Sequence, residues 1–439
     1  MRSTFRALAV RNYRLFATGG LISNVGTWMQ RIAQDWLVLA LTGSGTALGI
    51  TTGLQFLPML LLSPYAGVIA DRFPKHKVLV VTQTAMGVTA VVLGLLAVTG
   101  LVQPWHVYVL AFVFGTGTAF DAPARTAFVN EMVGRDHVAN AVGLNSASFN
   151  LARIIGPAVA GFLIAGLGGG VFATGWAILL NGVSYAAVIF SLWRIRTSEL
   201  APLEPVARTK GMVREGWRYV RRRPDIMLVL SVVFVTGMFG LNFQMTMAIM
   251  ATDVYGKGAS EYGLLGSIMA VGSLAGALVA AHRSLPRQRL VVGAALAFGF
   301  IEIVTGLMPT YLTFALLLPL CGLSALTMIT AANAFVQMSV APYIRGRVMA
   351  LYMAILMGGT PLGAPILGWV AEQFGGRWTL IGGGALTVLG TVAATLYFTH
   401  REDLVMRPRT RPRPHVEVLP RAEYVARRAA ARPNRPVAA

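Results

Sequence analysis

The sequence predicts an all-α membrane protein with twelve transmembrane helices in two six-helix halves. Three observations predict it. Of 439 residues, 55% are hydrophobic and only 12% charged, about half the ~25% charge of a soluble domain. Uncharged runs recur along the chain, each close to the ~20 residues a helix needs to cross a bilayer. Lys and Arg fall mostly in alternate loops, which is the positive-inside pattern of membrane proteins.

The runs, in order, are 13–41, 47–70, 78–100, 106–127, 138–166, 172–193, 226–252, 261–282, 289–308, 311–337, 347–371 and 377–399. The loops after the odd-numbered runs hold only Lys257 and Arg377 as cations. The opposite side holds Arg2, Arg6, Arg11, Arg14, Arg72, Lys75, Lys77, Arg135, Arg283, Arg287, Arg289, Arg345 and Arg347. To these it adds the arginine-rich central loop from Arg194 to Arg223 and the arginines after His400. This bias places both termini in the cytoplasm; the membrane is expected to be a bacterial inner membrane. The opening MRSTFRALAVRNYRLF lacks a short apolar core ending in a cleavage site, so the first run is expected to stay as a helix.

The longest internal loop divides the chain. Residues 1–193 form an N-terminal half, 194–224 a cytoplasmic linker, 225–399 a C-terminal half and 400–439 a tail. Within the linker, Val213, Trp217 and Val220 stand at helical spacing among arginines, which predicts a helix on the inner membrane surface. The tail, rich in Arg, Pro and Ala, is expected to be disordered and close to anionic lipid. A net charge of +20 would suggest nucleic acid in a soluble protein. Its placement assigns it to membrane topology, so nucleic acid is not expected as a partner.

Polar groups inside apolar runs need a reason, because a charge at mid-bilayer costs about 2.5–3.5 kcal/mol on insertion scales. In the first run Ser23, Asn24, Thr27, Gln30, Arg31, Gln34 and Asp35 fall in one arc of roughly 140° at helical periodicity. Trp28, Ile32, Trp36 and Leu37 lie outside it. That face fits a wall of an aqueous cavity, with Asn24, Thr27, Gln30 and Gln34 as cavity residues. Arg31 and Asp35, one turn apart, can partly neutralise each other, and a local ion pair that merely holds the helix is the alternative. Asp35, the only acid on this face, is the first candidate for proton coupling with Arg31. Trp28 and Trp36 would shape a pocket or anchor the helix at the interface.

Asn242 and Gln244 in the seventh run would bind substrate or bond between helices. Arg153 would offset an anionic group or pair with Asp35 or Asp121. Glu302, deep in the ninth run, is expected to make an interhelical hydrogen bond, with proton carriage as the alternative. Cys321 stands alone and reads as a packing residue. No G-x-x-x-x-G-K-[ST] phosphate loop occurs. His76, His106, His137, His282, His400 and His415 lie near segment ends without metal spacing. No cofactor, metal site or catalytic constellation is expected.

The halves partly repeat. At one offset Ala127-Phe128-Val129 falls on Ala334-Phe335-Val336, and at a similar one Gly26, Gln30 and Gly49 fall on Gly240, Gln244 and Gly263. Parallel repeats of this kind place a cavity between halves, as in alternating-access carriers.

Two motifs sharpen this. GVIADRFPKHK, Gly67 to Lys77, resembles the G-x-x-x-D-R signature of the major facilitator superfamily after its second span. GPAVAG, Gly156 to Gly161, resembles the G-P-x-x-G-G antiporter motif, with Ala160 in place of one glycine. SNVGTWMQRIAQDWLVL, REGWRYVRRRPDI and GLNFQMTMAIMA look like the branch of drug and siderophore exporters that holds macrolide and enterobactin exporters. The likeness covers roughly residues 5–400. It implies the major facilitator fold. It also implies close packing at Gly67, Asp71 facing the amino end of the eleventh span, and Arg72 paired with an acid at the inner end of the fourth, here Asp121. Gly156, Pro157 and Gly161 would kink the fifth span and let it pack tightly.

The reading is therefore a secondary transporter and not an enzyme: a proton-coupled exporter of an amphipathic drug or siderophore-like molecule. Its expected partners are that small molecule, protons and lipid, and it is expected to act as a monomer. A nutrient importer on the same fold and a non-transporting scaffold or secretion accessory are the rivals.

Overall fold

The computed structural model describes residues 5–134, 136–201, 212–281, 287–401, 404–409 and 415–420. Its helices are α1 (Arg11–Thr42), α2 (Gly45–Arg72), α3 (Lys75–Val98), α4 (Pro104–Val133), α5 (Val138–Gly166), α6 (Val171–Trp193) and α7 (Met212–Arg221). They continue with α8 (Pro224–Phe239), α9 (Phe243–Ile249), α10 (Ala259–Ala281), α11 (Gln288–Gly306), α12 (Tyr311–Ser339), α13 (Arg345–Phe374) and α14 (Arg377–Arg401).

Among the described residues eleven helical segments are long and apolar enough to cross a membrane, with α8, α9 and the π-turn Met250–Val254 forming one of them. The first helix is not among them. It is 32 residues long, but the polar arc from Ser23 to Asp35 dilutes its apolar content.

Local chemistry sets the ends. Gly43 at φ 61 closes α1 and turns the chain at once into Ser44, whose side chain accepts from the Ala47 N–H and caps α2. Pro104 opens α4, where its missing N–H is not needed. Gly375 at φ 94 makes the tight link from α13 to α14.

Packing is close because small residues line the contacts. A Cβ at Gly87 would lie 3.0 Å from Tyr185 Cβ, and one at Gly175 would lie 2.8 Å from the Val98 nitrogen, so α3 and α6 approach backbone to backbone. The core divides into apolar clusters. One runs through Met29, Ile32, Leu37, Leu48, Ile164, Tyr262 and Phe314, and another through Val229, Val233, Met328, Val336 and Tyr352.

The linker contains the helix α7. Val220 is buried, Trp217 is exposed, and Glu215 pairs with Arg347 at the start of α13. The side chain of Val213 lies outside the described residues. In the tail the expectation of disorder is corrected in two places. Leu404–Arg409 and His415–Pro420 pair as an antiparallel hairpin, Leu404 opposite Pro420. The apolar run Leu404-Val405-Met406 and the alternating Val416 and Val418 supply strand character that the Arg and Pro content hides. Arg135, Arg283 and His282 lie outside the described residues.

Candidate functional site

One end of the bundle, remote from the termini, is shut by two glycine-lined seams. In the first, α2 lies on α13: a Cβ at Gly45 would meet the Gly368 carbonyl oxygen at 3.0 Å, and one at Gly53 the Pro361 oxygen at 3.2 Å. Here Ser44 Oγ also donates to Glu372 at 2.9 Å. In the second, α5 lies on α10: a Cβ at Gly161 would meet the Ala259 oxygen at 2.6 Å, and one at Gly266 would meet Pro157 Cβ at 3.1 Å. Toward the other end α2 and α5 are more exposed. Val142, Phe149, Leu61 and Tyr65 are exposed, and Gly143 has nothing within 4 Å.

Asp35 sits against the shut end, 4% exposed. Its Oδ2 accepts from Gln244 Nε2 at 2.8 Å and from the Tyr262 hydroxyl at 2.8 Å. One carboxylate on α1 thus ties α9 and α10, residues more than two hundred positions away in sequence. Tyr262 also donates toward the Gln244 carbonyl at 3.1 Å and stacks on Trp36, whose Nε1 donates to the Gly169 carbonyl.

The rest of the polar arc is mostly spoken for within the first six helices. Asn24 donates to Ser148 at 3.4 Å, the hydroxyls of Thr27 and Tyr185 are 3.2 Å apart, and Gln34 donates to Gln55 at 3.2 Å. Asn181 donates to Gln30. These bonds make Gln30 and Gln34, both buried, struts between helices more than cavity walls.

Arg31 does not pair with Asp35. Its guanidinium lies over the Trp28 ring, 4.8 Å from the centroid, and near Phe56 at 5.5 Å. Asp35 has better-aimed donors in Gln244 and Tyr262, and the aromatic faces hold the cation instead. Arg153 likewise pairs with neither Asp35 nor Asp121; it lies 5.5 Å from the same Trp28 ring.

Asp121 is also not the partner of Arg72. It accepts from Arg125 Nε at 2.8 Å, Gln83 Nε2 at 2.7 Å and Thr82 Oγ1 at 3.0 Å. Arg125 lies one helical turn away on the same helix, whereas Arg72 ends α2 and is exposed. The acid used at the inner end of α4 is Glu131, and its partner is Lys75 at 3.1 Å. Gly67 and Asp71 stand in the last turns of α2.

Gly156 does not face the seam. A Cβ there would lie 2.6 Å from Trp28 Cβ and 2.8 Å from the Val25 oxygen, so it lets α5 close on α1. Pro157 and Gly161 meet α10. Asn242 donates to the Met238 carbonyl at 2.8 Å, while its buried Oδ1 has no partner among the described residues. Glu302 is 1% exposed, and its Oε2 is likewise unpartnered there. The expected interhelical hydrogen bond does not form. The carboxyl faces the break between α8 and α9, where Gly240 presents no side chain and the Gly240 and Leu241 N–H groups both go to the Thr236 oxygen.

The sequence reading missed Tyr262, Gln55, Asn181, Tyr185, Glu131 and Lys75. All but Lys75 and Glu131 are polar or amphipathic residues inside apolar runs, the same signal that singled out the first helix. Among the described residues no group of His, Cys, Asp and Glu could hold a metal ion.

The sequence pattern of the transmembrane secretion effector family matches residues 2–421. The chain belongs to this family of the major facilitator superfamily. As a member it is a multi-pass membrane transporter and not an enzyme. It is 23% identical to the staphyloferrin A transporter of Staphylococcus aureus, over 89% of this chain and 96% of that one. It is 27% identical to the multidrug efflux pump Tap of Mycolicibacterium fortuitum, over 90% and 97%. A bacterial homologue of the human lysosomal transporter Spinster, solved inward-facing and occupied, superposes with a TM-score of 0.67 at 17% identity, covering 88% of this chain and 96% of that one. At that identity the match speaks for the fold.

Proposed function

We propose that this transporter is a proton-coupled exporter of amphipathic small molecules, of the drug or siderophore kind. The twelve-span reading counts α1 despite its polar arc, with α1–α6 and α8–α14 as the two halves, α7 on the linker and both termini cytoplasmic. The shut end is then the periplasmic gate, and the side on which α5 is exposed is the cytoplasmic mouth. The halves rock about the α2–α13 and α5–α10 seams.

The observation that carries this reading is Asp35. It is a buried carboxylate whose partners, Gln244 and Tyr262, both lie in the second half. When the halves separate at this end, those two donors leave it and water enters. Its proton occupancy is thereby tied to the conformational state, which is what coupling requires. The names of the relatives, a siderophore transporter and a multidrug pump, support export of such molecules over nutrient uptake. A scaffold has no use for a carboxylate bridging two moving bodies.

Everted membrane vesicles test this. Imposing an inward-acid gradient on vesicles that hold the protein should drive accumulation of a dye or siderophore substrate, and a protonophore should abolish it. No accumulation across a broad panel, with the protein present and folded, would remove the exporter reading.

A further inference from the structure

We infer that Arg31, Arg153 and Trp28 form a subsite for a carboxylate-bearing, partly aromatic anion. The inference rests on the transporter reading and names its substrate class. Two guanidiniums from different helices, α1 and α5, lie within 5.5 Å of one indole centroid. Cations placed together in a membrane protein normally bring an acid with them. Here Asp35 is within electrostatic range of Arg31 but, among the described residues, makes no ion pair with it. Asp35 is held by Gln244 and Tyr262, and Asp121 by Arg125, Gln83 and Thr82.

The donors are also unspent. Arg31 Nε is buried without a hydrogen-bond partner among the described residues, and no side-chain acceptor stands against Arg153 there; it lies over the Trp28 ring. A stacked ring attracts the face of a guanidinium and leaves its five in-plane N–H groups free. What completes such a pair is a planar anion that accepts from both forks.

The surroundings set the rest of the ligand. Phe56 lies 5.5 Å from the Arg31 guanidinium, and Phe149 meets Trp28 edge-on at 5.5 Å and is itself 47% exposed. The site therefore offers apolar, ring-lined surface beside two cations, next to the exposed Phe149. Aromatic bodies that carry a carboxylate fit it, and organic cations are repelled. A mere structural role is the weaker account, because Arg31 and Arg153 repel each other and neither has an ion-pair partner among the described residues.

A matched series isolates the charge: 1-naphthylacetate, 1-naphthylacetamide and 1-naphthylethylamine share one ring system. Binding to the purified protein in nanodiscs is followed by titration calorimetry, without any proton gradient. The expected order is carboxylate first, by about tenfold over the amide, with the amine weakest. Arg31→Gln and Arg153→Gln should each erase the carboxylate preference, and Arg153→Lys, which keeps the charge but loses the planar fork, should retain only part of it. Size-exclusion profiles and melting curves identify any variant that fails to fold, and Arg153→Lys then carries the comparison. Equal binding of carboxylate and amide, tighter binding of the amine, or an unchanged preference in folded Arg31→Gln would overturn the assignment. Failure of gradient-driven transport with the carboxylate preference intact would strike the coupling proposal and leave this site standing. Gradient-driven transport of cations with no carboxylate preference would do the reverse.

Discussion

Replacing Gly161 with leucine should open the shut end of the bundle without unfolding it. A Cβ at this position would lie 2.6 Å from the Ala259 carbonyl oxygen and 3.1 Å from the Cα atoms of Ser260 and Gly263. All three are backbone atoms, so no rotamer change relieves the clash; α5 and α10 must separate. Overpacking of this kind costs about 1–3 kcal/mol. The cost falls only on the state in which the seam is closed, so the equilibrium should shift toward the alternate state about 5–150-fold. Ala371 reports the shift from the other seam. It is 6% exposed, with a Cβ at Gly45 placed 3.1 Å from its own. On a Cys321→Ser background, Ala371→Cys should react slowly with a maleimide in proteoliposomes, and faster by that factor once Gly161→Leu is added. Gly156→Leu is the control. Its clash is with Trp28 and Val25 of α1, inside the first six helices, so it should lower the melting temperature without raising the labelling rate. An unchanged rate in folded Gly161→Leu would refute the claim that the two seams open as one movement.

The remaining predictions concern charge. The motif resemblance implies that Asp71 faces the amino end of the eleventh span, an interaction worth about 0.3–2 kcal/mol; if so, Asp71→Asn should lower transport while the protein still inserts, and normal transport would remove that expectation. Lys75→Met should destabilise the protein by about 3–5 kcal/mol, because it strands Glu131, whose side chain is only 6% exposed; adding Glu131→Leu should restore most of the melting temperature. Glu302→Met replaces an unpartnered buried carboxyl with an apolar chain and should raise thermal stability by about 1–3 kcal/mol. If transport survives, Glu302 has no part in coupling; if transport stops while stability rises, Glu302 becomes the proton carrier.

Much of the architecture was legible in the sequence because membrane insertion is governed by short-range rules. Apolar length and the sidedness of arginine are read directly, which is why most predicted runs correspond to observed helices. The polar arc of the first run was also visible, but its meaning was not. Gln30, Gln34, Thr27 and Asn24 bond to Asn181, Gln55, Tyr185 and Ser148, and one-dimensional periodicity cannot say which helix faces that arc. The same limit explains the partners assigned wrongly. Spacing suggested Arg31 with Asp35, yet Tyr262 reaches Asp35 from α10. Motif resemblance suggested Arg72 with Asp121, yet Lys75 and Glu131 form the pair. The hairpin in the tail was hidden because composition over forty residues averages away two short segments rich in Val, Leu and Met.

The central claim is that Asp35 couples proton occupancy to the movement of the halves. The direct test is Asp35→Asn in proteoliposomes, assayed two ways with one transported substrate. Concentrative uptake driven by a pH gradient requires the carboxyl; counterflow exchange, which needs only binding and rocking, does not. The account predicts that Asp35→Asn loses gradient-driven accumulation and keeps counterflow near the wild-type rate. Accumulation against the gradient by Asp35→Asn would contradict it and leave Asp35 a structural tie between α1, α9 and α10.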